Sequence, residues 1–265
     1  MKKIYLKPKL IITGIFVLAS AALVAGAIGK HLGAPVKRHA RHIVAASVEE
    51  PIIYDSVLLK KFISAIRSLD FNQPECTYKG IVDLEDGNDT TNNVHNLRFS
   101  FCRSGKNYYY QVGNAEIIHH DGINLYIQHD QHKIALSGEA ITIKSPVTNI
   151  PLIEKTLQGE HYTLQHSQKG NMQTLSLINE HHISCKEISV TLDTVSGKLK
   201  QIYTRLTDFG SPADKNKERT MNVTLTEVKD QAEINAYPSW ERFVKRSGGK
   251  WELTDAYRDY ELIQF

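Results

Sequence analysis

From residue 76 to residue 137 the chain repeats one device: a stretch of alternating apolar and polar residues, then a short link rich in Gly, Asn, Asp or Ser. The links are Asp86-Gly87-Asn88-Asp89, Ser104-Gly105, Gly113-Asn114, Asp121-Gly122 and Asp130-Gln131. A two-residue period sends successive side chains to opposite faces of a strand. Asp-Gly between such stretches supplies the two positive φ angles that a tight hairpin turn needs. The pattern predicts strands over 76–84, 94–102, 107–112, 115–120, 123–128 and 132–137, an antiparallel meander. Further strands are expected at 161–166, 172–178, 187–193, 199–206 and 221–228, with turns at Gln168-Lys169-Gly170-Asn171 and Ser196-Gly197.

Helices are few. Asp55 is the expected N-cap of a first helix, with Leu58, Phe62, Ala65, Ile66 and Leu69 at helical spacing. A short helix is expected over 151–157, opened by Pro151 and stopped at Gly159, and another over 238–246, ended by Gly248-Gly249. About eleven strands with no βαβ alternation imply an α+β fold on one large antiparallel sheet, and a sheet of that size curls.

Ahead of this domain lies Leu10 to Gly29, a run of 20 residues without a charge. At about 1.5 Å per residue it spans roughly 30 Å as a helix, the thickness of a bilayer's hydrocarbon core. Lys2, Lys3, Lys7 and Lys9 precede it, as the positive-inside rule expects of a cytoplasmic tail. Two readings fit: a retained transmembrane anchor, or a secretory signal cleaved after Ala27 in Ala25-Gly26-Ala27. Either one exports the domain. The expected organisation is a basic tail over 1–9, an anchor over 10–29, a linker over 30–50, a domain over 51–228 and an aromatic-rich extension over 229–265. The expected location is the inner membrane, single-pass, with the domain in the periplasm.

The overall charge of +3 conceals an uneven distribution. The first fifty residues carry 8 Lys or Arg against 2 Asp or Glu, leaving 24 against 27 in the rest. A mildly acidic domain with dispersed cations has no footprint for nucleic acid. The basic arm suits anionic head groups or topology.

Cys76, Cys102 and Cys185 include no Cys-x-x-Cys pair. The register puts Cys76 with Tyr78, Val82 and Leu84 on one face, and turns Cys102 away from Leu97, Phe99 and Phe101. The two thiols then lie on opposite sides of the sheet, and only a bulge would join them. Of the 12 histidines, His119 and His120 lie one strand away from His129 and His132, about 20 Å at 3.3 Å per residue. His129 and His132, across one hairpin, are two ligands, too few for a zinc site. The histidines therefore read as polar strand ends, with a metal-sensing role the weakest alternative. The chain has no His-Glu-x-x-His, Gly-x-Ser-x-Gly, P-loop or Gly-x-Gly-x-x-Gly motif. Ser247-x-x-Lys250 spans two glycines in an expected turn. No enzymatic activity and no cofactor are expected.

What remains is apolar surface. Tyr78, Val82, Leu97, Phe99, Phe101, Leu125 and Ile127 are expected to share one sheet face. That face either packs against Leu58, Phe62, Ile66 and Leu69 or stays partly open as a groove for an apolar ligand.

The order of elements carries a resemblance. A leading helix precedes Tyr78-Lys79-Gly80, then the Phe99-Ser100-Phe101 strand with its Ser104-Gly105 turn, and then the tyrosine strand Tyr108 to Tyr110. After Ile118-His119-His120-Asp121-Gly122 and Leu125-Tyr126-Ile127 comes the Leu192-Asp193 … Gly197-Lys198-Leu199 hairpin. Over about residues 54–228 this resembles the LolA/LolB-like superfamily of periplasmic lipoprotein carriers and related lipid-binding proteins. The resemblance implies an unclosed antiparallel barrel with helices on its concave face and acyl chains as cargo. The carriers' Arg-Pro and Phe-Arg-Trp elements have no counterpart beyond Arg98 before Phe99, and the chain after Val228 is unmatched. A protein held by a transmembrane anchor also cannot shuttle across a periplasm. The expected function is a membrane-anchored envelope protein binding a lipid or acylated protein. The alternative is a filled barrel acting as a scaffold for an envelope protein partner. The extension over 229–265 is expected to pack back on the domain, lidding the barrel's mouth or adding a strand.

Overall fold

The computed structural model describes residues 54–138 and 160–265. The expected anchor over 10–29, the linker over 30–50 and the helix over 151–157 lie outside the described residues. Among the described residues no helix is long and apolar enough to cross a membrane.

The helix α1 (Ser56–Arg67) begins where the Asp55 carboxylate accepts hydrogen bonds from the amides of Val57 (2.8 Å) and Leu58 (3.1 Å). Then come β1 (Glu75–Asp86), β2 (Val94–Ser104), β3 (Asn107–Val112), β4 (Ala115–His120), β5 (Ile123–Gln128) and β6 (Lys133–Ser137). The second half holds β7 (Thr163–Lys169), β8 (Met172–Ile178), β9 (Cys185–Asp193), β10 (Leu199–Leu206) and β11 (Arg219–Lys229). All eleven strands lie within three residues of where turn chemistry and alternation put them. At the Asp121-Gly122 turn both residues take positive φ (53° and 77°), as that hairpin requires.

The tail departs from expectation. The segment expected as one helix is a single 3-10 turn (Trp240–Arg242) followed by β12 (Val244–Ser247), which pairs with β13 (Lys250–Leu253). Gly248 and Gly249 both take positive φ (58° and 82°), so they form a two-residue hairpin turn and not a helix stop. The chain then closes with β14 (Glu261–Gln264), which lies parallel to β6.

Among the described residues twelve strands make one sheet in the order β14-β6-β5-β4-β3-β2-β1-β11-β10-β9-β8-β7, antiparallel except at β14. The sheet is unclosed, with β14 and β7 at its edges. It has two faces and two apolar cores. On the first face, α1 packs across β7 and β9, and its Phe62, Ile63 and Ala65 join Tyr78, Phe99, Phe101, Tyr110, Val190 and Val223. On the second face, Tyr109, Ile118, Leu125, Ile127, Ile134 and Leu136 are covered by Phe243, Val244 and Tyr257 of the tail. The tail thus adds a strand at one edge and covers the back of the sheet.

Elsewhere the second face is polar. Beneath the 207–218 loop, Lys186 donates to Glu218 (2.7 Å) and to the Pro212 carbonyl (2.9 Å). Arg205 bridges Glu180, Glu187 and Glu218 there.

Candidate ligand-binding face

Tyr78, Val82, Leu97, Phe99 and Phe101 lie together on the first face. Cross-strand register brings them there: Tyr78 opposes Phe101, Gly80 opposes Phe99, and Val82 opposes Leu97. Leu125 and Ile127 do not belong with them. Both are fully buried in the second core, beneath the tail. The register runs Phe101–Tyr110–Ile117–Tyr126 across four strands, so on β5 the first-face position is Tyr126 and its apolar neighbours point backward. One step in parity moves every side chain of a strand to the other face.

Phe71, in the loop after α1, lies over this face, with its ring centroid 4.6 Å from Phe101 and 5.3 Å from Tyr78. The Tyr78 hydroxyl donates to the Ser68 carbonyl (3.1 Å) just beyond the last turn of α1. It thereby anchors the C-terminal end of the helix to β1. At Gly80 a Cβ would stand 2.4 Å from the Thr224 carbonyl oxygen and 2.6 Å from the Phe99 ring. Here β1 bulges against β11, between Lys79 and Gly80.

Past Phe101 the face becomes polar. Cys76, Arg103, Tyr108, His119 and Asn124 form one cross-strand row from β1 to β5. The Arg103 guanidinium lies over the rings of Phe101 (5.9 Å) and Tyr108 (5.4 Å). Tyr108 stacks on His119 at 5.1 Å, and His119 Nδ1 is 2.6 Å from Asn124 Oδ1. Burial pushes the Tyr108 hydroxyl up to about 12 against the opposing pull of Arg103. Burial likewise raises the Cys76 thiol to about 11, so it is not a poised nucleophile. Thr77 opposes Cys102 while Cys76 opposes Arg103, which puts the two cysteines on opposite faces. All three cysteines are free thiols. Reasoning on sequence passed over Arg103 and Tyr110. The available signal was parity: both lie an even number of positions from first-face residues, Phe101 and Tyr108.

Two of the histidines hold the tail. His129 sits between Glu116 (2.7 Å) and the Tyr260 hydroxyl (2.8 Å), and His132 pairs with Asp259 (2.8 Å) while stacking on Tyr260. Among the described residues no three His, Cys, Asp or Glu side chains are grouped to hold a metal ion. A cavity of about 130 Å³ lies on the second-face side, where Ile123, Leu136, Trp251 and Phe265 meet. It is smaller than the roughly 300 Å³ at which ligand pockets begin.

No protein-family model matches this chain, and no curated protein does. Among solved structures it is similar to a LolA superfamily protein from Nitrosomonas europaea, at 11% identity and a TM-score of 0.27. The match covers 70% of this chain and 97% of that one.

Proposed function

We propose that the protein binds an acyl chain, of a lipid or of an acylated protein, between α1 and the first face of the sheet. One observation carries the reading: the apolar face is wider than its helix. A helix of 12 residues is about 18 Å long, and α1 packs across β7 and β9. The apolar face continues through Phe101 and Tyr110 to Ile117 on β4 and Tyr126 on β5. Strands stand about 4.8 Å apart, so α1 alone does not span this face, and the buried stretch Phe101, Tyr110 and Ile117 beyond it is where an acyl chain would lie. The role goes with a single-pass anchor over 10–29 that holds the domain on the periplasmic side of the inner membrane. In that setting it acts as a fixed acceptor and not a shuttle. Alkaline carbonate extraction with protease access tests the anchor; a mature N-terminus just after Ala27 refutes it.

A second reading is favoured by the complete burial of Tyr78 and Phe101 by the chain's own residues. A face already filled by Phe71 and α1 serves as a scaffold, with an envelope protein partner on its surface. Photo-crosslinking separates the two. The full-length chain, in phosphatidylcholine nanodiscs, is exposed to the methyl ester of a diazirine-bearing fatty acid and mapped by mass spectrometry. Saturable adducts on β1–β4 support acyl binding. Their absence, or adducts confined to residues 10–29, refutes it and leaves the scaffold.

A further inference from the structure

Most charged groups buried in this domain have partners of opposite sign. Lys186 has Glu218, Arg205 has three carboxylates, and Asp86 has Arg219. Arg103 does not fit this pattern. It is half-buried, makes no hydrogen bond or ion pair with any described residue, and its Nε is shut off from solvent without a partner. Two aromatic faces, Phe101 and Tyr108, are what it has. These offset part of the cost of burying a cation, but they leave the buried Nε–H donor without an acceptor.

A second orphan lies beside it. The Tyr110 hydroxyl is buried without a hydrogen-bond partner, and its ring meets Phe101 edge-on at 6.2 Å. Tyr110 pairs with Phe101, and Tyr108 with Arg103. Arg103 and Tyr110 are therefore diagonal neighbours on one face, about 7–8 Å apart at the backbone and within reach of one small group. Both are donors, and no carboxylate of the described chain serves them. They also stand where the apolar face gives way to the polar row.

We infer that the ligand of the first face is an anionic amphiphile, whose carboxylate or phosphate is held by the Arg103 guanidinium and the Tyr110 hydroxyl while its chain lies along Phe101 and Ile117. This rests on the acyl-binding reading and adds the charge of the head group. Arginine is the side chain suited to such a group, because its planar fork donates two parallel hydrogen bonds to either anion. Tyrosine adds a neutral donor, which burial keeps protonated.

The test compares the diazirine fatty acid with its methyl ester on the same full-length chain in phosphatidylcholine nanodiscs, with adduct yield on β1–β4 measured against concentration. The acid is expected to half-saturate at a concentration about ten-fold below the ester, as a charge-assisted hydrogen bond implies. Arg103→Met should bring the acid to the level of the ester, Tyr110→Phe should remove part of the preference, and Arg103→Lys should restore part of it. Near-ultraviolet circular dichroism of all three variants should match wild type, which shows that they remain folded. Competition by unlabelled fatty acid or phosphatidic acid then distinguishes carboxylate from phosphate. Equal half-saturation by acid and ester, or an acid preference that survives Arg103→Met, overturns the anionic site and leaves acyl binding intact. If neither probe labels β1–β4, acyl binding fails and this inference with it.

Discussion

Replacing Phe243 by alanine tests whether the tail is part of the domain. Phe243 is fully buried, its ring lies 4.7 Å from that of Tyr257, and it joins Leu125, Ile127 and Ile134 of the sheet in one apolar cluster. Its carbonyl also accepts from the Thr254 amide at 3.0 Å, which ties β12 to the chain after β13. Truncating a buried phenylalanine costs about 3–5 kcal/mol, through lost transfer energy and the cavity left behind. In a domain of this size each kcal/mol lowers the melting temperature by roughly 2–4 °C. Phe243→Ala is therefore expected to melt about 6–20 °C below wild type, followed on the full-length chain by near-ultraviolet circular dichroism. The control is Phe265→Ala. That ring is 87% exposed, and its loss should stay within about 0.5 kcal/mol. If Phe243→Ala melts within about 2 °C of wild type, the second core does not stabilise the fold and the tail is an appendage.

Three further outcomes are expected. Gly80→Ala should destabilise by about 1–3 kcal/mol, because its methyl would collide with the Thr224 carbonyl oxygen and the Phe99 ring; a denaturant midpoint equal to wild type would refute the close approach. The thiols of Cys76 and Cys185, pushed by burial up to about 11 and about 12, should resist Ellman's reagent at about pH 8 in the folded protein and react once it is unfolded; prompt native labelling of either would contradict their burial. Acid should destabilise the domain through its paired carboxylates. Hydrogen bonding to Arg205 holds Glu180 down at about 2, against an ordinary 4.5. In Asp86 and Glu218 burial pushes upward, but Arg219 in one case and Lys186 with Arg205 in the other prevail and lower both. Carboxylates depressed by folding contribute stability above their ordinary values and lose it as pH falls through the folded ones. The melting temperature should then fall between about pH 4.5 and 2, and Arg205→Met should start lower with a shallower slope; parallel slopes would refute the Arg205 contribution.

The strands were legible because their signals are local. Gly113-Asn114 and Asp121-Gly122 define where a strand stops whatever packs on it. The capping of α1 by Asp55 is equally local. What alternation could not supply was the number of cores. On β5, Ile123, Leu125 and Ile127 read as a core face, and they are one; the error lay in assuming a single core. Turn lengths contained the correction. A two-residue turn at Gly113-Asn114 pairs Val112 with Ala115, and one at Asp121-Gly122 pairs His120 with Ile123. Counting outward from these puts Tyr110 opposite Ile117, and Ile117 opposite Tyr126. The tail misled for a different reason. Tyr237, Trp240, Phe243 and Val244 have helical spacing and do meet in one cluster. They meet because tertiary packing gathers them around a 3-10 turn and a hairpin, and tertiary packing commonly overrides propensity.

The two faces of the sheet are covered differently: part of the second face lies under the chain's own tail, while the first face meets α1. On the second face the apolar half over β3–β6 is covered by the chain's own tail, secured by His129 and His132 to Tyr260 and Asp259. The polar half carries Lys186 and Arg205, each matched by carboxylates. On the first face the helix satisfies one side of the sheet, and Tyr78 locks that helix in place through its hydroxyl. Across β2 and β3, where the apolar face meets the polar row, Arg103 and Tyr110 retain donors with no acceptor among the described residues. An orphaned donor weakens a fold by roughly 1–3 kcal/mol, so an acceptor supplied by a ligand between Arg103 and Tyr110 would recover part of that cost. Two unmatched donors beside an apolar surface have the shape of a head-group site, and they make the charge of the ligand the most informative property to vary.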